Sequence, residues 1–114
     1  MEWNIRYYIS PAKDNPVLDF IESLSIVAQG KVSRSLDLLS QYGILLREPH
    51  VKKVQGRAFW ELRILGSDSI RILYIAQTGR NFLLLHGFIK KTRKTPEKEL
   101  VIADNRLKEY KARK

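Results

Sequence analysis

The sequence lacks cysteine altogether, which excludes a disulfide framework, a thiolate zinc site and a cysteine nucleophile. It also lacks long apolar runs, since none approaches the ~20 residues that a membrane-spanning helix needs. The first residues, MEWNIR, have neither the basic nor the apolar region of a signal peptide. We therefore expect a cytoplasmic protein that does not enter a membrane. The length of 114 residues predicts one domain over residues 1–114.

Acidic residues are outnumbered: 12 Asp and Glu stand against 21 Lys and Arg, which gives a formal net charge of +9. Residues 90–114 hold ten basic and four acidic side chains, and therefore six of the nine net charges. A basic domain of this size favours a nucleic acid or an acidic protein as its partner. The alternative interpretation of the charge run is a solvated, lysine-rich terminal helix.

The first half of the chain predicts one strand and two helices. Residues 3–9 are aromatic and β-branched, which is typical of a strand. Asn15 and Pro16 provide the N-cap and the first residue of a helix, and Gly30 is predicted to break it. A second helix is predicted to end at Gly43. The apolar residues at helical spacing are Val17, Phe20, Ile21 and Leu24 in the first helix, and Val32, Leu36, Leu39 and Tyr42 in the second.

The second half changes to the period of a β-sheet. Strands are predicted over residues 51–54, 59–65, 70–76 and 81–89, and short glycine-containing loops between the last three indicate antiparallel hairpins. Thr95 and Pro96 are predicted to cap and start a last helix. Its apolar stripe consists of Leu100, Ala103, Leu107 and Tyr110. The predicted fold is α+β: a small twisted, mostly antiparallel sheet of four or five strands, with an N-terminal helical hairpin on one face and a C-terminal helix.

Charged side chains interrupt the apolar strands. Because side chains alternate along a strand, Glu61 and Arg63 are predicted to point away from the core face. If a pair between residues 64 and 70 closes the turn, Arg63 and Arg71 lie opposite each other, whereas a slip by one residue separates them. These residues are either a cross-strand ion pair centred on Glu61 or a cluster that binds an anion.

Several motifs occur together in a fixed order. Residues 54–63 read VQGRAFWELR, residues 70–74 read IRILY, and residues 83–96 read LLLHGFIKKTRKTP, with Ala103, Arg106 and Tyr110 following. This set resembles the RelE/ParE toxin superfamily, and specifically its HigB-like, phage-derived RelE-like branch. The resemblance implies a RelE-like fold and the toxin of a type II toxin–antitoxin system. Such a toxin is a small endoribonuclease that cuts mRNA, commonly on the ribosome, and so inhibits translation and arrests growth.

The resemblance also implies a reaction and its residues. The ribose 2′-hydroxyl attacks the scissile phosphate, with no metal or other cofactor required. Arg63 matches an arginine that contacts this phosphate, Arg71 matches a second recurrent arginine, and Lys90 and Lys91 lie where relatives place groups near the reacting atoms. The candidates for a general base are Glu48, His50 and a lysine whose pKa is lowered by neighbouring cations. The alternative is that catalysis rests mostly on electrostatic stabilisation and on positioning by the ribosome.

Further residues are expected to bind RNA. They are Lys52, Lys53, Glu61, His86, Phe88, Arg93 and Lys94. Phe88 is a candidate for stacking on a base, although core packing is an alternative for it and for His86. The expected partners are mRNA, the ribosome and a cognate antitoxin, predicted to be a helix-turn-helix protein. Two other functions remain open: a ParE-like inhibitor of DNA gyrase and a non-catalytic nucleic-acid-binding module.

Overall fold

The sheet has five strands in the order β1-β5-β4-β3-β2 and is seen in a computed structural model that describes residues 2–66 and 69–113. β1 runs parallel to β5, and the other neighbours are antiparallel. The mixed α+β fold with a mostly antiparallel sheet is as predicted. The elements are β1 (Asn4–Tyr7), α1 (Pro16–Glu22), α2 (Ile26–Tyr42), a 3-10 turn (Gly43–Leu45), β2 (Val51–Lys53), β3 (Trp60–Arg63), β4 (Ile70–Gln77), β5 (Asn81–Ile89) and α3 (Glu97–Arg113).

Helices cover both faces of the sheet. On one face, α1 and α2 bury an apolar cluster, whereas α3 covers part of the other face with a second cluster. The first cluster includes Val17, Ile21, Val32, Leu39, Leu62, Ile72, Phe82 and Leu84. The second includes Phe59, Leu73, Leu83, Leu85, Phe88, Leu100, Ala103 and Leu107. The predicted apolar stripe of the last helix is therefore confirmed, and β5 is buried on both sides. No helix in the described ranges is long and apolar enough to cross a membrane.

The boundary between the first two helices differs from the prediction. Asn15 caps α1 as predicted, because its side chain accepts a hydrogen bond from the Leu18 amide. Gly30, however, does not end a helix but lies inside α2, which is capped by Ser25. A glycine inside a helix costs only about 1 kcal/mol relative to alanine, less than the apolar face of α2 gains by burial. Gly43 ends α2 as predicted, with a φ of 59°.

A register shift separates the two halves of the β4–β5 pair. Leu73 pairs with His86 but Tyr74 pairs with Leu84, so Leu85 is an extra residue in β5. A β-bulge of this kind interrupts the alternation of side chains between the faces. As a result, Leu85 and His86 both lie on the α3 side of the sheet. Alternation alone would place His86 on the other side, together with Leu84.

The start of α3 also differs from the prediction. The helix begins at Glu97, and the Thr95 hydroxyl donates a hydrogen bond to Oε2 of Glu61 at 2.7 Å instead of capping the helix. The hairpin between β2 and β3 is tied to the same helix. There Arg57 contacts Glu97 at 2.6 Å and Asp104 at 2.9 Å. Two residues thus fix this part of the chain: Thr95 bonds the segment before α3 to the sheet, and Arg57 bonds the first half of α3 to the hairpin between β2 and β3.

Candidate functional site

A cationic groove lies between β2 and the segment that precedes α3. Its volume is about 780 Å³, and Glu61 of β3 forms part of its wall. Five basic and two acidic side chains are among the lining residues, so the groove carries a net positive charge. The lining residues are Glu48, Lys52, Lys53, Val54, Gln55, Glu61, Lys90, Arg93, Lys94, Thr95 and Leu100. A groove of this charge and width suits a polyanion better than an apolar ligand.

Two arginines beside the groove share one carboxylate. Arg63 and Arg71 are direct cross-strand partners, and the Ile64 amide donates to the Ile70 carbonyl, so the first of the two predicted registers is confirmed. Oε1 of Glu61 lies 3.4 Å from Nε of Arg71 and 3.7 Å from Nε of Arg63. Glu61 is only 3% exposed. The ion pair centred on Glu61 is therefore confirmed, whereas anion binding by the two arginines stays a prediction.

The guanidinium groups of this cluster are incompletely bonded. Nε of Arg63 and Nε of Arg71 are both buried without a hydrogen bond of acceptable geometry. One terminal nitrogen of Arg71, Nη1, donates to the Ile70 carbonyl. Within residues 2–66 and 69–113, the terminal nitrogens of Arg63 make no hydrogen bond. Burial lowers the pKa of Arg71, and Arg63 lowers it further, whereas Glu61 raises it.

Lys90 follows β5 and points into the same groove. Burial is the main cause that lowers the pKa of its amine below 10.5. Arg71, Arg63 and Lys52 lower it further because a second positive charge nearby disfavours the protonated form, while Glu61 acts in the opposite direction. The sequence-based hypothesis of a lysine with a lowered pKa in a cationic cleft thus applies to Lys90.

The other predicted site residues form two groups: those that line the groove and those that do not. Lys52, Arg93 and Lys94 line the groove, as does Glu48, one of the candidate bases. Lys53 also lines it, but its ammonium donates to the backbone carbonyls of Val54 and Arg57. Lys91 is exposed and is not among the residues lining the groove. His50 is half-buried, and its carbonyl accepts a hydrogen bond from the Arg63 amide.

The structure places His86 and Phe88 beneath α3 rather than in the groove. Nε2 of His86 lies 2.6 Å from Glu99, and Nδ1 lies 3.2 Å from Nη1 of Arg106. Because a guanidinium can only donate, Nδ1 must accept, so the neutral ring carries its proton on Nε2. Phe88 is 5% exposed and stacks on His86 with ring centroids 5.4 Å apart. These positions favour the structural alternative for both residues over contact with RNA.

Sequence analysis missed three residues that shape this region. Arg57 ties the β2–β3 hairpin to α3, Thr95 holds Glu61, and Arg106 bonds His86 and the Leu85 carbonyl. The family pattern includes Arg106 but predicts no role for it, and the sequence predicts that Thr95 caps the last helix. A basic residue in a hairpin loop facing an acidic first helical turn was the one available signal for Arg57. Within the described parts of the chain, no three His, Asp or Glu side chains cluster as metal ligands would.

Comparison with known proteins gives the family. The model of the phage-derived Gp49-like proteins (DUF891), a RelE/toxin-like family, matches residues 19–108. No curated protein matches the chain. The matched range contains β2 to β5, the whole groove and most of α3. The chain therefore belongs to the Gp49-like family of phage-derived proteins, a membership that indicates the role of a toxin in a toxin–antitoxin system.

Proposed function

We propose that this protein is a metal-independent endoribonuclease that cuts mRNA, the toxin of a type II toxin–antitoxin system in the HigB-like branch. One observation carries the proposal. Arg63 and Arg71 lie side by side beside a cationic groove, with their Nε atoms toward Glu61 and terminal guanidinium nitrogens left for a ligand, and Lys90 lines the same groove. Cations that are preorganised around a phosphate are what phosphodiester cleavage through a charged phosphorane requires.

The reaction follows from these groups. The neutral amine of Lys90 removes the proton from the ribose 2′-hydroxyl, and the 2′-oxygen then attacks the adjacent phosphorus. A new P–O2′ bond forms while the P–O5′ bond breaks, which leaves a 2′,3′-cyclic phosphate and a 5′-hydroxyl. The leaving 5′-oxygen takes its proton from one of the ammonium groups of the groove. Arg63 and Arg71 donate hydrogen bonds to the non-bridging oxygens as their negative charge grows.

The groove supplies binding as well as catalysis. Lys52, Arg93 and Lys94 line its walls and are placed to contact successive phosphates of a single strand. The described groove walls carry no exposed aromatic platform for bases, since Phe88 is buried. This arrangement supports binding through the backbone of RNA. We propose that the ribosome presents the message in the extended form that the groove accepts, which makes cleavage ribosome-dependent.

The proposed inhibitory partner is an antitoxin that carries acidic side chains into the groove. Carboxylates placed where the RNA phosphates bind would neutralise the same cations and so block the site. Co-expression with the product of the adjoining gene, predicted to be a helix-turn-helix protein, should relieve growth arrest and yield a complex. Expression of the free protein at high level without any effect on growth would count heavily against the toxin role.

The direct test is cleavage of a defined mRNA by the purified protein, with and without programmed ribosomes. Products with a cyclic phosphate and a 5′-hydroxyl are expected in the presence of ribosomes, and a 2′-deoxy substitution at the cut position should block cleavage. Salt-sensitive RNA binding without a product would identify a non-catalytic binding module instead. Inhibition of purified gyrase without RNA cleavage would identify a ParE-like function.

A further inference from the structure

The most deeply buried charge of the groove is negative. Burying a carboxylate costs free energy unless it is paired and hydrogen-bonded, and Glu61 uses both of its oxygens for this purpose. Oε2 accepts the hydrogen bond of the Thr95 hydroxyl, and Oε1 faces the Nε atoms of Arg63 and Arg71. A carboxylate would also repel an RNA phosphate. The predicted role of Glu61 in binding RNA directly is therefore replaced here by a role within the protein.

The two arginines need this carboxylate to remain side by side. Like charges directly opposite each other on neighbouring strands are destabilising, and Arg63 and Arg71 occupy such a pair of positions. Glu61 attracts the Nε side of each guanidinium from one point on the sheet. With their Nε sides held there, terminal nitrogens of both groups remain for a ligand. Without the carboxylate, the two long side chains would separate toward solvent.

Thr95 fixes the carboxylate in turn. It lies two residues before α3, in the segment that forms one wall of the groove, and its side chain is half-buried. A threonine hydroxyl that donates to one carboxylate oxygen restricts rotation of the whole group. The orientation of both arginines is thus linked, through Glu61, to the docking of the α3 segment on the sheet.

We propose that Glu61, oriented by the Thr95 hydroxyl, is a positioning residue that aligns Arg63 and Arg71 on the scissile phosphate. The proposal rests on the endoribonuclease function proposed above. Loss of the carboxylate would make the groove more positive, and it would also leave Arg63 and Arg71 without a fixed orientation. Binding of RNA and cleavage of RNA should then change in opposite directions.

Glu61→Gln is the first test, since it keeps the shape of the side chain and removes its charge. The cleavage rate should fall by about 10²-fold, as expected when reacting groups lose their alignment. Affinity for a single-stranded 2′-O-methyl RNA, which cannot be cleaved, should stay the same or rise. The rising limb of the pH–rate profile should also move to lower pH, because Glu61 raises the pKa of Lys90.

Thr95 provides a matched pair of variants should Glu61→Gln fail to fold. Thr95→Val removes the hydroxyl at nearly constant volume and should slow cleavage about tenfold, which corresponds to one hydrogen bond of ordinary strength. Thr95→Ser keeps the hydroxyl and should restore most of the rate. Thr78→Val is the matched control, because it makes the same change in the exposed turn between β4 and β5, away from Glu61. Its cleavage rate per folded molecule should match the wild type.

A measurement independent of activity separates this proposal from the proposed function. Nε of Arg63 and Nε of Arg71 are buried, so two slowly exchanging arginine Nε–H signals are expected in the NMR spectrum of the wild type. Both should exchange faster in Glu61→Gln and in Thr95→Val. If the wild type does not cut RNA, the proposed function fails and these signals alone decide the positioning role. Unchanged exchange, wild-type cleavage by folded Glu61→Gln, or a parallel loss of affinity and cleavage would overturn it.

Discussion

Two polar clusters lie on the same face of the sheet, about one strand apart, and they differ in how completely they are bonded. In the cluster under α3, both ring nitrogens of His86 have partners, and Arg106 also bonds the Leu85 carbonyl. In the cluster at the groove, Glu61 is bonded, but the Nε atoms of Arg63 and Arg71 are not. The first cluster is closed by the protein itself. The second is held together by ion pairs to Glu61, and it leaves the terminal guanidinium nitrogens of Arg63 without a hydrogen bond within the described residues.

The two clusters contribute differently to the protein: one is bonded as part of the folded core, and the other lies at the candidate site. A polar network that is fully bonded makes a buried surface specific, whereas unbonded buried donors cost free energy and mark a site for an external partner. α3 creates this division. It packs on β5 and on the apolar cluster of this face, while Thr95 of the segment before it bonds Glu61. Variants at the groove should mainly lower the cleavage rate, whereas variants in the cluster under α3 should mainly lower the stability of the fold.

The largest effect is expected at Lys90. Lys90→Arg keeps the positive charge but replaces the amine by a guanidinium that does not deprotonate, so cleavage should fall by about 10²- to 10⁴-fold while RNA affinity is retained. The wild-type rate should rise with pH to a midpoint below 10.5, because burial lowers the pKa of Lys90. Single-turnover cleavage across pH measures both. Lys108→Arg, on the exposed side of α3, is the matched control. A loss confined to Lys91→Arg would contradict the assignment.

A loss of about 10²- to 10³-fold in cleavage is expected for Arg63→Ala, as is typical when one preorganised donor to a developing anion is removed. The unfolding free energy should change by no more than roughly 1 kcal/mol, because the side chain lies at the groove and is 26% exposed. Arg63→Lys should recover only part of the rate, since it loses the planar fork. Arg34→Ala, on the surface of α2, controls for net charge. A large drop in melting temperature with near-normal cleavage would indicate that the ion pair with Glu61 is the main role of Arg63.

The closed cluster should respond in stability rather than in rate. Arg106→Met leaves Nδ1 of His86 and the Leu85 carbonyl without a donor, at an expected cost of about 1–3 kcal/mol in unfolding free energy. Arg113→Met is the matched control, since Arg113 also lies on α3 over the Tyr8 ring but pairs with Glu109 near the surface, where the cost should stay below about 1 kcal/mol. Chemical denaturation measures both variants. Equal stability losses would remove the distinction between them.

The smallest effect is a dependence of stability on pH. Burial lowers the pKa of His86 below 6.5, and Arg106 adds to the effect, although Glu99 opposes it. The unfolded chain therefore takes up a proton before the folded protein does. Stability should be constant above the unfolded value of 6.5 and should decline as the pH falls through the pKa of the folded state. Thermal melts between about pH 7 and pH 5 measure the decline. His86→Gln should flatten it, and an increase in stability with acid would contradict a buried neutral ring.

Much of the fold follows from local sequence signals. The alternating residues of β3, the Asn15 cap and the end of α2 at Gly43 were all predicted, because each depends on residues close together in the chain. The prediction for Gly30 was wrong because the free energy that one glycine costs a helix is smaller than the free energy gained when the α2 face is buried on the sheet. The pairing of Arg63 with Arg71 was one of two registers that the sequence allowed. The loop that separates them extends over residues 67–68, which lie outside the described residues.

The candidate site depends both on the residue types in the sequence and on contacts between distant segments. Composition and the family pattern predict Arg63, Arg71, Lys90 and Lys91 as candidates for phosphate chemistry. The sequence could not place Phe88 and His86, since a single extra residue in β5 turns His86 toward α3. It could not show either that Glu61 is buried and bonded to Thr95, which lies 34 residues away along the chain. Sequence by itself determined which residue types are available for phosphate chemistry. The tertiary structure decided which of them are bonded to each other and which line the groove, because contacts between distant segments form only when the sheet and α3 pack together.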